Sequence, residues 1–410
     1  MDIQNMTKLL EQLNKNTQQT TKVGDLFDVK TGGTPSRAKP KFYLNGNIPW
    51  VKTQELVDSV IYDTDEKITQ DAINNSNAKV FPKNSVILAM YGATVGKLGI
   101  LGVDASTNQA CATFIPSKNS DIKFLYYLLL RNRQRIISEA TGSAQQNLSV
   151  DKIRNFEFGF PNFQTQKKIA SILSAYDAKI ENNNKIIKNL EATAQTIFNE
   201  WFVKFHFPGY EKVKMVESEM EGIPEGWGIK NIKDVFTVVL GGTPSREKSQ
   251  YWNGNIPWIN SGEVNKLRIL EATEHITELG LNKSNARLVK SGATVIAITG
   301  ATLGQVSRLE IDSTANQSVI GIFDKDNILN EYLYLFISNN ILDLISGASG
   351  GAQQHINKQM VENYKILIPS ESVVQQFNKK VFSIFRLIKE LLKENISLKS
   401  QRDQLLVKLI

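Results

Sequence analysis

Residues 32–37 read GGTPSR and residues 45–50 read NGNIPW, and both passages return, at 241–246 and 253–258. A repeat of this kind fixes the architecture before any local propensity is weighed. DLFDVKTGGTPSR at 25–37 matches DVFTVVLGGTPSR at 234–246, an offset of 209 that settles to 208 after one gap. SNA recurs at 76–78 and 284–286, and GATVGK at 92–97 answers GATLGQ at 300–305. TNQA at 107–110 answers ANQS at 315–318, and GSAQQNLSV at 142–150 answers GGAQQHINK at 350–358. Each copy closes on a strand-like run and a proline, FEFGFP at 156–161 and YKILIP at 364–369. Two homologous globular domains are expected, at 21–161 and 223–369.

Within each copy, short β-rich runs such as NSVILAMYG and GATVIAITG are bounded by Gly and Asn turn signals. Helical stretches follow at 122–140 and 330–346. The class is α+β. After each domain the apolar pattern changes. It runs Ile169, Leu173, Tyr176, Ile180, Asn183, Ile187, Leu190, Ala194, Ile197, Trp201 in the first copy. In the second it runs Phe377, Val381, Ile384, Ile388, Leu391, Asn395, Leu398, Arg402, Leu405, Leu409. Steps of four and three are a heptad seam, with Asn183 and Asn395 as polar register-setting positions. Two long helices pairing as an antiparallel coiled coil, with the copies related by a pseudo-twofold axis, are expected. The division is 1–20 N-terminal helical segment, 21–161 first domain, 162–205 central helix, 206–222 linker, 223–369 second domain and 370–410 C-terminal helix.

Lys and Arg number 48 against 41 Asp and Glu, a net charge of +7 that suits a polyanionic partner without demanding one. The single cysteine, Cys111, excludes an internal disulfide framework, and with His206, His275 and His355 far apart no zinc-ligand spacing exists. The polar first twenty residues lack a signal peptide's apolar core, and the densest apolar run, FLYYLLL at 124–130, is too short to span a bilayer. A cytoplasmic location is expected. GATVGK has one residue too few between its glycines for a phosphate loop, and Leu98 stands where Ser or Thr is needed. The chain has no Pro-Pro pair of the kind a DNA amino-methyltransferase uses around its flipped base. No catalytic role, cofactor or metal is expected.

The ordered set GGTPSR, NGNIPW, GATVGK, TNQA and GSAQQNLS, present twice and followed by FPNFQTQKKIASIL leading into a long helix, resembles the specificity subunit of type I restriction–modification enzymes. The resemblance covers residues from about 21 to 410. It implies two target recognition domains, each reading one half of a split double-stranded DNA sequence. It also implies helices that set the spacer and carry two modification (methyltransferase) subunits, with restriction subunits joining them. The second copy departs from the pattern at SESVVQQFNKKV and at His355, which replaces Asn147.

If the copies read different half-sites, residues identical in both cannot carry the difference. Shared Thr34, Ser36, Arg37 and Thr243, Ser245, Arg246 are then candidate backbone contacts, as are Gln145, Gln146, Gln353 and Gln354; a proline turn whose hydroxyls cap its own backbone is the alternative. Divergent Lys52, Gln54, Tyr91 and Lys97 are candidate readers in the first copy, with Asn260, Thr299, Gln305 and Arg308 in the second. Trp50 and Trp258 read as core anchors. A duplicated protein-only adaptor is the competing function, and steep salt dependence of DNA binding discriminates against it.

Overall fold

The computed structural model describes residues 19–140, 147–219, 221–347 and 355–410. The chain divides into two compact units, one made of the residues up to 181 together with 396–410, the other of residues 182–395. Each unit holds one copy of the repeat and a stretch of each long helix.

In the first unit a five-stranded sheet runs in the order Val29–Thr31, Cys111–Phe114, Val86–Ala89, Leu98–Leu101, Ser59–Ile61. Its middle strand, VILA, is buried at every position. That is the expected fate of a short unbroken apolar run between turns. The pairs are antiparallel except the last, where Val60 lies parallel to Ile100. A smaller sheet holds Ile48–Val51, the end of NGNIPW, between Lys67–Ile68 and Ala105–Thr107. Gln19–Lys22 pairs antiparallel with Glu157–Phe160, so the chain enters and leaves the domain side by side.

The second unit repeats the plan. Its five-stranded sheet runs Thr237–Leu240, Val319–Phe323, Thr294–Ala297, Val306–Leu309, Arg268–Ile269. Trp258 pairs parallel with Thr314 as Trp50 does with Ser106, and Gly228–Asn231 closes the domain against Lys365–Ile368. The glycines of GATVGK and GATLGQ are a backbone requirement. Gly92 and Gly96 have φ of 67° and 81°, and Gly300 and Gly304 have 69° and 80°, in the left-handed region that side chains avoid.

The long helices form where the heptads predict. The first spans Phe163–Phe198 and the second Glu371–Leu409. Every seam position named above is buried or half-buried. In the second unit Asn183 Nδ2 donates to Asn395 Oδ1 at 2.9 Å, while the Trp201 ring lies 5.9 Å from that of Phe377. The helices therefore run antiparallel there. In the first unit Ile169 and Leu173 share an apolar cluster with Leu405, Leu406 and Leu409. Arg402, an odd member of a seam, is held by Asp177 Oδ1 at 2.5 Å and Asp403 Oδ1 at 2.7 Å.

Some details differ from, or add to, expectation. The helix expected over 122–140 breaks at Asn132 into Ile122–Arg131 and Arg133–Ser138, where the Asn132 amide turns back on the Leu128 carbonyl at 2.8 Å. The first long helix ends in a π turn, Asn199–Val203, which lets the consecutive Trp201 and Phe202 both face inward. The stretch 206–222 is more than a linker. Met215–Ser218 pairs with Glu221–Pro224 as a hairpin, and Phe207, Ile223 and Trp227 are buried, with the Phe207 and Trp227 rings 5.2 Å apart. The domain boundary set at 223 cuts through that hairpin. Of the segment 1–20 expected to be helical, residues 1–18 lie outside the described residues, and Gln19–Lys22 is strand.

Candidate nucleic-acid interface

The GGTPSR turn is built the same way in both units. Its glycines are wedged against other strands. A Cβ on Gly32 would come within 1.9 Å of the Thr107 carbonyl oxygen, and one on Gly241 within 2.1 Å of that of Asn316. The next carbonyls, of Gly33 and Gly242, accept from the indole Nε1 of Trp50 (3.1 Å) and Trp258 (3.2 Å). Both tryptophans are buried, which makes them anchors of the turn. Thr34 donates to Gln109, and Thr243 to Gln317 Oε1 at 2.5 Å.

The shared arginines are held from two sides. Arg37 forks onto Glu66 at 3.2 and 2.7 Å and lies 4.4 Å over the Tyr43 ring. Arg246 forks onto Glu274 at 2.5 and 3.0 Å and lies 3.6 Å over Trp252. The hydrogen bond from each arginine draws the carboxyls of Glu66 and Glu274 below the usual range, and the guanidinium pKa values rise in return. With two nitrogens already bonded, these arginines are struts between the turn and the neighbouring strand before they are phosphate donors. Ser36 and Ser245 are exposed on the same turns.

The loop after IPW hangs on a shared glutamate. Glu55 accepts from the amides of Lys52 (2.6 Å) and Asp65 (2.9 Å); Glu263 accepts from those of Asn260 (3.3 Å) and Thr273 (3.2 Å). On this common support the side chains diverge. Lys52 Nζ stands 3.7 Å from Glu66, and Gln54 is exposed. Asn260 instead turns inward to cap Gly262 N at 2.8 Å. In the second divergent region Tyr91 is half-buried and bridged through its backbone to Asn147, while Lys97 is exposed with Nζ 4.0 Å from Asp58. Thr299 and Gln305 are half-buried, and Gln305 Oε1 is enclosed without a hydrogen-bond donor.

Arg308 does not belong with the exposed readers. It lies within the strand Val306–Leu309, is 9% exposed, and is bonded to Glu310 at 2.5 Å and Glu331 at 2.8 Å. A guanidinium in that setting is committed to the interior. Gln145, Gln146, Gln353 and Gln354 lie outside the described residues.

Sequence reasoning missed the partners that give the turn its shape. Glu55 and Glu263, Glu66 and Glu274, Gln109 and Gln317 all recur at the 208 offset, so the repeat itself carried that signal. It also missed an open groove of about 820 Å³ beside the second turn, lined by Thr243, Asn285, Arg287, Gln317 and Lys358. Arg287 and Lys358 have Lys79 and Val150 at the matching positions of the first copy, so divergence marked them too. Burial pushes the Cys111 thiol pKa up, which keeps it an inert apolar group. Among the described residues no cluster of His, Cys, Asp and Glu could hold a metal, and no helix is long and apolar enough to cross a membrane.

Fold and site together define a duplicated α+β protein, in which one scaffold carries two different sets of loop residues. The family model described as the type I restriction modification DNA specificity domain matches residues 15–192 and again 224–399, and the chain belongs to that family. A type I restriction enzyme MjaIX specificity subunit of Methanocaldococcus jannaschii is 28% identical over 403 residues, covering 95% of this chain and 91% of the relative. The HindI specificity subunit of Haemophilus influenzae is 25% identical over 354 residues, covering 70% of this chain and 76% of the relative. Among solved structures, the type I restriction–modification S subunit from M. genitalium shares the fold, with a TM-score of 0.58 at 18% identity over 96% of this chain and 97% of that one.

Proposed function

We propose that this chain is the DNA-reading subunit of a type I restriction–modification complex. Each copy reads one half of a split target in double-stranded DNA. The paired helices set the spacer between halves and offer the surface on which two methyltransferase subunits dock, restriction subunits joining the full assembly. The chain supplies specificity and its partners the chemistry, in a cytoplasmic complex.

The observation that carries this reading is the contrast within the repeat. The turn, its Arg–Glu fork and the glutamate that hangs the next loop are the same in both copies, whereas positions 52 and 260, and 97 and 305, differ in charge, and positions 54 and 262 differ in reach. A protein that binds one surface twice has no need of that difference; one that reads two half-sites does. The shared part would meet the phosphate backbone and the divergent part the base edges. Replacing residues 21–161 by the matching domain of a relative should alter one half of the methylated sequence and leave the other unchanged, as read by mapping modified sites in DNA from cells making the complex. A swap that altered both halves, or a chain whose partners methylate DNA without regard to it, would refute the assignment.

A further inference from the structure

The second unit holds a connected cluster of six charges. Arg268, on the edge strand Arg268–Ile269, has no exposed side-chain surface. Its Nη2 donates to Glu191 Oε1 on the first long helix at 2.5 Å, and its Nε lies 3.7 Å from Glu310 Oε1. Glu310 also receives Arg308 Nη1 at 2.5 Å and, from the second long helix, Lys389 Nζ at 3.1 Å. Arg308 reaches on to Glu331 of the helix Asn330–Ser346 at 2.8 Å. Three cations meet three carboxylates. The Arg268 guanidinium also lies 4.3 Å from the Tyr334 ring and 4.6 Å from that of Phe385, on the second long helix.

The repeat supplies the control for what this cluster does. At the matching positions the first copy has Val60, Ile100, Gly102 and Lys123, and it forms the same five-stranded sheet in the same order. The fold therefore does not require the charges. Nor is stability a sufficient reason for them, since well-packed apolar residues commonly serve as well as a buried ion cluster or better. Arg268 Nη1 and Arg308 Nε are even enclosed without an acceptor. Arg268 and Arg308 are also direct neighbours on parallel strands, an arrangement that is repulsive until acids from other elements intervene. Directionality is what the cluster adds. An apolar contact tolerates small rotations and slides, whereas six clustered charges are neutralised together in one arrangement of sheet, domain helix and both long helices.

We propose that this cluster is a positioning clamp, which fixes the attitude of the second copy's sheet on the two long helices so that its loops meet DNA at one angle and one spacing. Arg268, Arg308 and Glu310 are then positioning residues, acting through the loops they orient. The proposal rests on the DNA-reading function given above.

The test is selection of bound duplexes by the full chain, from a library varied in both half-sites and in spacer length. In Glu310→Gln the base preferences of both half-sites should persist. The preference for the parent spacer over spacers one base pair longer or shorter should fall about tenfold, equivalent to about 1.4 kcal/mol of discrimination. Should that variant fail to fold, a second one carries the first copy's residues (R268V, R308I, E310G) with E191Q, E331Q and K389M, leaves none of the six charges in place, and should behave the same way. A folded variant with unchanged spacer preference overturns the clamp, as does one whose half-site base preference shifts. A parent chain that selects no split sequence overturns the DNA reading and the clamp with it, so the two failures are told apart by the parent alone.

Discussion

Arg37 and Arg246 show how much of a residue's local role lies outside its own stretch of sequence. Their identity in both copies was visible, and a guanidinium beside two hydroxyls suggests a phosphate site. The structure gives each a carboxylate partner and an aromatic floor from elsewhere in the domain, and neither partner could be paired with the arginine from local sequence. Because the Arg37 hydrogen bond holds the Glu66 carboxyl low, its contribution to stability is present above the usual glutamate pKa of 4.5 and is lost as pH falls through the lowered folded value. Arg37→Gln should return the Glu66 carboxyl towards 4.5 in an NMR titration and should abolish that part of the acid dependence. Position 308 teaches the converse. Divergence between copies marks exposed readers and buried residues alike, and only burial separates Gln54 from Arg308.

Helices and strands were the most legible elements, since periodicity depends on neighbours close in sequence. The seam residues named from four-and-three spacing fill the interior side of both long helices. The π turn was not legible, because a one-residue insertion in the helical repeat needs the aromatic cluster around Trp227 to reward it. The hairpin at 215–224 was missed because its strands are short and carry few apolar residues in alternation. At mid-seam, Asn183 donates to both Glu394 Oε2 (2.8 Å) and Asn395 Oδ1, yet its own Oδ1 is enclosed without a donor. Replacing Asn183 and Asn395 together by leucine should therefore raise stability in denaturant titration by roughly 1 kcal/mol, the scale of one imperfectly satisfied buried polar group. It should also admit alternative helix registers, visible as a second oligomeric species on gel filtration.

For the whole molecule, duplication was the strongest signal, and it fixed the domain count and the shared strand order. If the helices set the spacer, one heptad added to each, next to Asn183 and next to Asn395, keeps the seam in phase. Each helix then grows by about 10.5 Å, close to three base pairs at roughly 3.4 Å each. Binding to the original spacing should be lost, as measured by electrophoretic shift on duplexes of graded spacer. Retained affinity for the original spacer would show that the helices do not measure the distance. The proposed base readers were the least legible, since a reader is defined by what it faces in the duplex, and a protein sequence holds only one side of that contact.

The way each unit closes has a consequence for how the protein is made. Gln19–Lys22 finds its partner strand as soon as residue 160 has left the ribosome, so the first domain can shut early. The apolar face of Ile169, Ala170 and Leu173 lacks part of its cover then, because Leu405, Leu406 and Leu409 are translated more than 230 residues later. At about 5–20 residues per second, the roughly 240 residues between them leave that face waiting on the order of 10–50 s. During that interval the nascent chain carries an unmated helix, open to a neighbouring nascent chain or to a holding chaperone. A chain ended after residue 395 would never close it. Such a truncation should give a soluble yield several-fold below that of the full chain, most of it recovered by co-expressing a peptide of residues 396–410, as measured in the cleared lysate.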